Sequence, residues 1–355
     1  MSIMKLVLAD GREFVGTAYG SCTPVVGEIV FNTSMVGYQE IVSDPAYAGQ
    51  IVIMTYPLMG QYGIMDEDFE SKGKGIAGLV TGDYCDTPSN FRYTKTLSEH
   101  LEERSVPCLS GIDTRMLTAI VRDEGSMIAA IVDSDTGKEQ AMEMIRAYRT
   151  PASPAVAVSC TKRWFSRTPH HSFDVVILDC GLKHSVTDEL NMRGCNVTVV
   201  PCTSSAGDIL ALNPDGLMVC GGPGDPSELT GVIAVIRELE GKLPIFGINL
   251  GHCLIALACG ARTFKLSCGY HGGRPVREIP TGRIISAEHS CNYAVDAGSV
   301  AGSGLQISYT DVCEGGVEGL VCPGKRICSV QFNPEGAPGP RESHFFDDFI
   351  KAMEG

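Results

Sequence analysis

The sequence predicts an α/β protein with two domains, and three observations support this fold class. The chain has 355 residues, and chains of this length usually fold into more than one domain, each with its own hydrophobic core. Its second half contains apolar, β-branched runs that alternate with helical segments, a pattern typical of βαβ units and a parallel sheet. Its first half contains shorter strands and fewer helices. We therefore predict a first domain at 1–150, a linker at 151–172 and a second domain at 173–355.

The first domain is expected to be of mixed β/α type, because short alternating strands come before one or two helices. The predicted strands are Lys5–Leu8, Gly27–Asn32, Gln50–Met54 and Gly75–Thr81, and the predicted helices are Thr94–Arg104 and Arg115–Glu124. Three prolines and several Ser and Thr residues then follow between residues 150 and 172. This composition is typical of a linker.

The second domain is expected to hold a mostly parallel sheet of the flavodoxin-like kind. Its predicted strands are Asp174–Leu178, Asn196–Val200, Gly216–Cys220 and Leu243–Ile248. Ligands of such sheets bind in the crevice outside the carboxyl ends of the strands. Gly222, Asn249 and Glu335 all lie just past strand ends, so they are candidate site residues.

The most informative residue of the chain is Asn249, which lies between a predicted strand and a predicted helix. Residues 245–253 read Ile-Phe-Gly-Ile-Asn-Leu-Gly-His-Cys, the strand–turn–helix pattern of a nucleophile elbow. The residue at the tip of such an elbow is normally Cys or Ser, because the chemistry needs an atom that attacks a carbonyl. An asparagine amide is not a nucleophile at neutral pH. The sequence therefore predicts the scaffold of a catalytic site without its attacking atom.

A second segment, residues 331–335, reads Gln-Phe-Asn-Pro-Glu. A histidine before Pro-Glu would supply a general base, and the glutamate would orient it. Here Asn333 occupies the base position and Glu335 is retained. Two of the three positions of a Cys–His–Glu triad therefore hold asparagine. An amide cannot take a proton from a thiol, so the base is missing as well as the nucleophile.

These motifs, together with further strings in both halves of the chain, are similar to those of one family. The strings are residues 27–40 (Gly-Glu-Ile-Val-Phe-Asn-Thr-Ser-Met-Val-Gly-Tyr-Gln-Glu), Asp44-Pro45, Tyr56-Pro57, Ser89-Asn90-Phe91, residues 112–115, Gly222-Pro223-Gly224-Asp225-Pro226, Gly272-Gly273, Ala294-Val295-Asp296 and Pro338-Gly339-Pro340. Over nearly its whole length the chain resembles the small, glutamine-amidotransferase subunit of carbamoyl-phosphate synthase. The resemblance implies a class I amidotransferase fold for the second domain.

The resemblance also assigns positions that bind glutamine. They are Ala46, Gly222, Gly224, Leu250, Cys253, Ser290, Asn292 and Tyr293, where family members usually have Ser, Gly, Gly, Leu, Gln, Asn, Gly and Phe. The two glycines and the leucine match, the tyrosine is a conservative change, and the other four depart from the pattern. A polar site loses affinity steeply when such partners are lost. We therefore expect a pseudo-glutaminase.

Other thiols and histidines are weaker candidates. Cys253 lies one helical turn from Asn249, a displacement of roughly 6 Å, whereas such reactions are sensitive to errors of about 1 Å. A pairing of His289 with Cys291 has no elbow to present the thiol. His252 is expected to be a packed histidine. No compact ligand spacing is present, so no metal site is expected.

Composition excludes several classes of function. The formal net charge of -14 argues against nucleic-acid partners, because phosphates require basic patches. The longest weakly charged stretch, about residues 243–261, is interrupted by Pro, Gly, Asn and His, and a bilayer span needs roughly 20 apolar residues. Residues 1–14 lack a long apolar core, so no secretory leader is expected. The 15 cysteines are then expected to be reduced thiols in the cytoplasm.

The resemblance implies a large-subunit partner that uses ATP, Mg²⁺ and bicarbonate to make carbamoyl phosphate. No Gly-x-x-x-x-Gly-Lys motif followed by Ser or Thr is present, so no cofactor is expected on this chain. The first hypothesis is a non-hydrolytic small subunit that serves as a structural, allosteric or ammonia-channelling partner. The arginine and pyrimidine pathways both remain open. A free-standing regulatory or small-molecule-binding pseudoenzyme, and an active glutaminase with a relocated cysteine, are the alternatives.

Overall fold

A computed structural model describes residues 2–73, 75–342 and 344–355, so Met1, where the first predicted domain begins, lies outside the described residues. The chain divides into two compact units. Unit 1 comprises Met1–Ala152 and Ser267–His271, and unit 2 comprises Ser153–Leu266 and Gly272–Gly355. Among the described residues, no helix combines the length and the apolar character that a membrane crossing requires.

Unit 1 is built around a closed β-barrel. Its strands are β1 (Ile3–Leu8), β2 (Glu13–Gly20), β3 (Val25–Asn32), β4 (Gln50–Met54), β5 (Leu58–Met59), β6 (Gly78–Val80), β7 (Asp83–Tyr84), β8 (Pro107–Ser110) and β9 (Met127–Asp133). Its helices are α1 (Tyr38–Ser43), α2 (Leu97–Glu103), α3 (Thr114–Glu124) and α4 (Lys138–Ala147). The barrel order is β1-β2-β8-β6-β4-β3-β9, in which β3, β4, β6 and β8 are parallel neighbours.

Alternate residues of the barrel strands supply two different apolar clusters. Ile51 and Ile53 of β4 belong to one cluster, whereas Val52 and Met54 belong to the other. This division follows from the period of two along a strand. Because both faces of β4 are apolar and buried, the sequence there reads as an uninterrupted hydrophobic run.

Unit 2 is a ten-stranded sheet with helices. Its helices are α5 (Pro154–Val158), α6 (His184–Met192), α7 (Ala206–Leu210), α8 (Thr230–Leu239), α9 (Leu250–Ala258), α10 (Ala297–Val300) and α11 (His344–Glu354). Its strands are β10 (Trp164–Ser166), β11 (Phe173–Asp179), β12 (Cys195–Pro201), β13 (Gly216–Val219), β14 (Ile245–Ile248), β15 (Thr263–Glu278), β16 (Ile284–Val295), β17 (Gln306–Asp311), β18 (Val317–Cys322) and β19 (Ile327–Val330). Residues Ser267–His271 of β15 are assigned to unit 1.

The predicted parallel sheet is present as the five adjacent strands β12-β11-β13-β14-β19. The sheet then continues through β18 and β17, which pair antiparallel. These additional strands were not predicted from the sequence. The segment 151–172, expected to be a linker, instead contributes α5 and the edge strand β10, which pairs antiparallel with β12. Backbone pairing by Trp164–Ser166 overrides the loop-like composition around it.

Candidate functional site

The turn between β14 and α9 is a sharp elbow with Asn249 at its tip. Asn249 has φ 55° and ψ -110°, a combination that a residue with a side chain rarely adopts. Such a conformation costs about 1–3 kcal/mol and persists only where the surrounding structure imposes it. The elbow geometry is therefore retained although no nucleophile occupies its tip.

Two glycines make this elbow possible. A Cβ on Gly251 would lie 2.1 Å from the carbonyl oxygen of Val219, and a Cβ on Gly247 would lie 2.7 Å from that of Gly251. The first turn of α9 therefore packs directly on the backbone of β13. Larger residues at either glycine would push the helix away and relax the turn.

The amide group of Asn249 is buried and fixed. The residue is 3% exposed, and its Nδ2 donates hydrogen bonds to the Ser290 carbonyl oxygen and to Ser290 Oγ, both at 3.0 Å. The backbone N–H of Asn249 donates to the carbonyl oxygen of Val330 at 2.9 Å. The residue at the tip of the elbow is thus held by the strand β16 on one side and by β19 on the other.

Asn333 meets the same serine. Its Nδ2 donates to Ser290 Oγ at 3.2 Å, and its backbone N–H donates to the carbonyl oxygen of Glu288 at 2.8 Å. A single hydroxyl oxygen therefore accepts hydrogen bonds from the side chains of both Asn249 and Asn333. Neither carboxamide can attack a carbonyl or accept a proton at neutral pH.

Glu335 makes a buried ion pair. Its Oε1 lies 2.7 Å from Nζ of Lys183, and the side chains of Glu335 and Lys183 are 1% and 7% exposed respectively. Lys183 also donates to the carbonyl oxygen of Ala337. Glu335 Oε2 has no hydrogen-bond partner among the described residues. Sequence reasoning missed Lys183, although its place four residues beyond the end of β11 matches the strand-end rule for site residues.

The loop after β13 approaches the elbow closely. A Cβ on Gly221 would lie 3.3 Å from Cβ of Asn249, and a Cβ on Gly222 would lie 1.9 Å from the carbonyl oxygen of Cys180 and 3.3 Å from Cδ2 of Leu250. The structure therefore brings together Gly222, Leu250 and Asn249. Only glycine fits at 222, because any side chain would collide with a neighbouring backbone.

Gly224 serves a different contact in the same loop. It has φ 100°, and a Cβ there would lie 2.8 Å from Cδ of Pro154. Pro154 is the first residue of α5, in the segment expected to be a linker. The glycine therefore permits both a left-handed backbone and close packing against α5.

Cys253 is a buried thiol on α9. It is 1% exposed, and its Sγ lies 3.4 Å from Oε1 of Gln331 and 3.9 Å from the carbonyl oxygen of Tyr293. Burial raises the pKa of this thiol well above its usual range. The neighbouring His252 is fully buried, and burial lowers its pKa to about 3. Its Nδ1 lies 2.9 Å from Ser329 Oγ.

The other sequence candidates have partners elsewhere or lie in other parts of the fold. Nε2 of His289 lies 2.8 Å from Oε2 of Glu318, and its Nδ1 lies 3.1 Å from the carbonyl oxygen of Ala287, so both ring nitrogens already have oxygen partners. Asn292 is partly exposed on β16. Ala46 belongs to unit 1. In the described part of the chain, no group of three or more His, Cys, Asp or Glu residues could hold a metal ion.

A strained elbow after a central parallel strand, with a glycine loop after the neighbouring strand, is the arrangement expected from the resemblance to class I glutamine amidotransferases. The family model described as "Glutamine amidotransferase class-I" matches residues 176–353. The model described as "Carbamoyl-phosphate synthase small chain, CPSase domain" matches residues 6–131. The chain therefore belongs to the carbamoyl-phosphate synthase small-chain family, which confirms the resemblance and the fold class predicted from the motifs.

Curated relatives match over the full length. The "Carbamoyl phosphate synthase small chain" of Listeria monocytogenes serotype 4b is 43% identical over 352 residues, covering 99% of this chain and 96% of the relative. The "Carbamoyl phosphate synthase pyrimidine-specific small chain" of Halalkalibacterium halodurans is 44% identical over 356 residues, covering 99% of this chain and 97% of the relative.

Two solved structures match about half of the chain and are more distant than these relatives. A putative GMP synthase protein from Thermoplasma acidophilum has 20% identity and a TM-score of 0.46, over 52% of this chain and 96% of that one. A glutamine amidotransferase from Thermotoga maritima has 15% identity and a TM-score of 0.38, over 52% of this chain and 84% of that one. Membership of the family rests on the family models and the full-length relatives.

Proposed function

We propose that this chain is a non-hydrolytic small subunit of a carbamoyl-phosphate synthase, in which the glutaminase site has lost its reactive groups. One observation carries the proposal: the amide of Asn249 occupies the tip of the elbow and is bound to Ser290, which also binds Asn333. Glutamine hydrolysis by this family needs an attacking thiolate and a base that moves its proton. Two carboxamides supply neither.

The neighbouring polar groups support the same proposal. A working pocket needs hydrogen-bonding groups that are free to bind the substrate's α-amino and carboxylate groups. Here the hydroxyl of Ser290 is occupied by two protein amides, and the thiol of Cys253 faces Gln331. Ser290 and Cys253 are therefore engaged within the protein, so we expect that restoration of a nucleophile alone would not recreate a glutamine site.

The partner in this proposal is a large subunit that holds ATP and Mg²⁺ and makes carbamoyl phosphate from ammonia and bicarbonate. This chain then serves as a structural, allosteric or ammonia-channelling component, and its first domain is the docking part. It needs no cofactor of its own, and its net charge of -14 disfavours nucleic-acid partners. The free thiols of the described cysteines favour a cytoplasmic location. The product would feed arginine or pyrimidine synthesis.

A relocated cysteine nucleophile is less well supported. Cys253 is 1% exposed, and burial favours its uncharged form, whereas the thiolate is the nucleophile. It lies within α9 rather than at the strained turn. A thiol in this state has neither access to substrate nor an adjacent base to activate it.

The test is to purify the protein from its native cell with its bound partners and to compare ammonia with glutamine as nitrogen source. We expect co-purification of a large subunit, together with synthesis of carbamoyl phosphate from ammonia alone. Synthesis from glutamine that is lost in Cys253→Ala and kept in the control Cys259→Ala would instead support a relocated nucleophile. Purification as a free chain, with no large subunit, would support a free-standing pseudoenzyme.

A further inference from the structure

A cavity of about 520 Å³ lies within unit 1, and nothing in the proposed function uses it. Its volume is in the range of small-molecule sites, roughly 300–1,000 Å³. Most of its wall is apolar, supplied by Val25, Val42, Phe69, Ile76, Leu101 and Val106. All the described residues that line it belong to unit 1.

One polar side chain in this cavity is buried without a partner. His100 of α2 is 5% exposed, and its ring packs against that of Phe69 with centroids 5.0 Å apart. Within the described part of the chain, neither ring nitrogen of His100 has a hydrogen-bond partner. Burial lowers its pKa to about 4, so the ring is neutral at pH 7 and offers one donor and one acceptor. A buried polar group in this state favours a ligand that completes its hydrogen bonds.

Arg104 lies at the rim of the cavity, and only part of its guanidinium group is hydrogen-bonded to described residues. Nη1 of Arg104 donates to the carbonyl oxygens of Lys72 at 3.1 Å and Gly73 at 2.8 Å. No described residue accepts a hydrogen bond from Nε or Nη2 of this arginine. These two nitrogens form the fork that binds a carboxylate through two parallel hydrogen bonds.

The end of α2 holds this arginine in place. Arg104 follows the last residue of the helix, and Ser105 then adopts a left-handed conformation with φ 58°. The N–H of Val106 donates to the carbonyl oxygen of Leu101 at 2.8 Å, the long-range bond of a Schellman motif. The guanidinium is thus anchored by its helix end and by two carbonyl groups before any ligand binds.

Charge then selects the kind of ligand. Arg104 is the one charged side chain among the described lining residues, which also include Ser43, Gly49, Ser71, Gly73, Gly75, Ala77 and Ser105. On a chain with net charge -14, an apolar cavity with a cationic rim and no carboxylate in its described lining is a specific feature. It complements a molecule that has an apolar body and one negative group.

We propose that this cavity binds a small organic acid with a flat, apolar body. Its carboxylate is bound by the Nε and Nη2 edge of Arg104, and its body packs between Phe69 and the apolar wall, within reach of His100. The site is independent of glutamine hydrolysis, so it stands whether or not the elbow is inert.

Calorimetric titration of the full-length protein tests this site, with 2-naphthoate as the probe and 2-naphthamide as its uncharged counterpart. We expect saturable binding of the acid at one site per chain, with affinity about tenfold or more above that of the amide, because hydrogen bonds to a charged group are the stronger ones. Arg104→Gln should reduce the affinity for the acid to that for the amide. The control Arg122→Gln, which removes an exposed arginine of α3, should leave both affinities unchanged.

A second variant tests the cavity itself. Ala77 lines it and is partly exposed, so Ala77→Trp should fill the space and abolish binding of the acid. Binding of naphthoate with wild-type affinity in Arg104→Gln would overturn the role of the arginine. No saturable heat from the acid, or equal affinity in Ala77→Trp, would overturn the site. If Ala77→Trp does not fold, the comparison of acid with amide in the wild type and in Arg104→Gln decides the question.

Discussion

The side chains of Asn249 and Asn333 are joined through one atom, Ser290 Oγ, which accepts a hydrogen bond from each amide at 3.0 and 3.2 Å. A Cys and a His at these positions would face each other as nucleophile and base. Two N–H groups cannot bond to each other, and here both Nδ2 groups donate to an acceptor that lies between them. The serine supplies it, and all three residues are at least 95% buried.

Removal of this acceptor should destabilise unit 2. Ser290→Ala leaves the Nδ2 group of Asn333 without its serine acceptor and removes one of two acceptors of Asn249. A buried donor left unpaired costs about 1–3 kcal/mol, and we expect a loss of that size in the free energy of unfolding. Denaturant titration measures it. The matched control is Ser308→Ala, because Ser308 Oγ is buried and has no partner among the described residues. Equal losses in the two variants would contradict the bridging role.

Restoring the reactive groups should not restore glutaminase activity. In Asn249→Cys with Asn333→His, the elbow regains its thiol and base, but Ser290 and Cys253 still differ from the family's glutamine-binding residues. We expect little release of glutamate from glutamine, because binding energy that positions the substrate is missing. Turnover at the rate of a working amidotransferase would show that the pocket is intact and that its assignment is wrong.

The buried pair of Lys183 with Glu335 should be important for stability. Lys183→Met leaves a carboxylate that is 1% exposed without its cation, and we expect a loss of about 3–5 kcal/mol in the free energy of unfolding. Adding Glu335→Gln removes the uncompensated charge, so the double variant should recover part of the loss. A double-mutant cycle in denaturant measures the coupling. Additive losses from the two single changes would contradict a direct pair.

His252 should make stability depend on pH below neutrality. Burial lowers its pKa from 6.5 to about 3, so the unfolded chain takes up a proton that the folded chain does not. The stability is complete above pH 6.5 and falls with pH at up to about 1.4 kcal/mol per unit, until the folded pKa is reached. His252→Gln should therefore reduce the loss between pH 7 and pH 5 by about 2 kcal/mol. If His252→Gln lost as much stability between pH 7 and pH 5 as the wild type does, that result would argue that the ring is charged in the folded state.

The sequence predicted the parallel part of the fold well, for a clear reason. Runs such as Phe173–Asp179 and Ile245–Ile248 are largely buried on both faces, so they read as nearly continuous apolar segments. The strands β15 and β16 mix exposed and buried residues irregularly and gave no comparable signal. The edge strand β10 lies among prolines and polar residues, and only its pairing with β12 makes it a strand.

The candidate site was predictable where the signal was local. The position of Asn249 at an elbow could be predicted because the strand, the glycines and the start of the helix all lie within nine residues of sequence. The role of Ser290 does not, because its hydrogen bonds join residues 41 and 43 positions apart in the chain. Lys183 pairs with a residue 152 positions away. Such contacts depend on how the strand ends pack, which no local pattern encodes.

Release of glutamate from glutamine by the purified native complex tests the central claim most directly. If the elbow has no nucleophile, glutamate should be released no faster than in a no-enzyme control. Ammonia should support formation of carbamoyl phosphate in the same preparation. Sustained release of glutamate that is stoichiometric with carbamoyl phosphate would contradict the account, because the chain would then hold a working nucleophile.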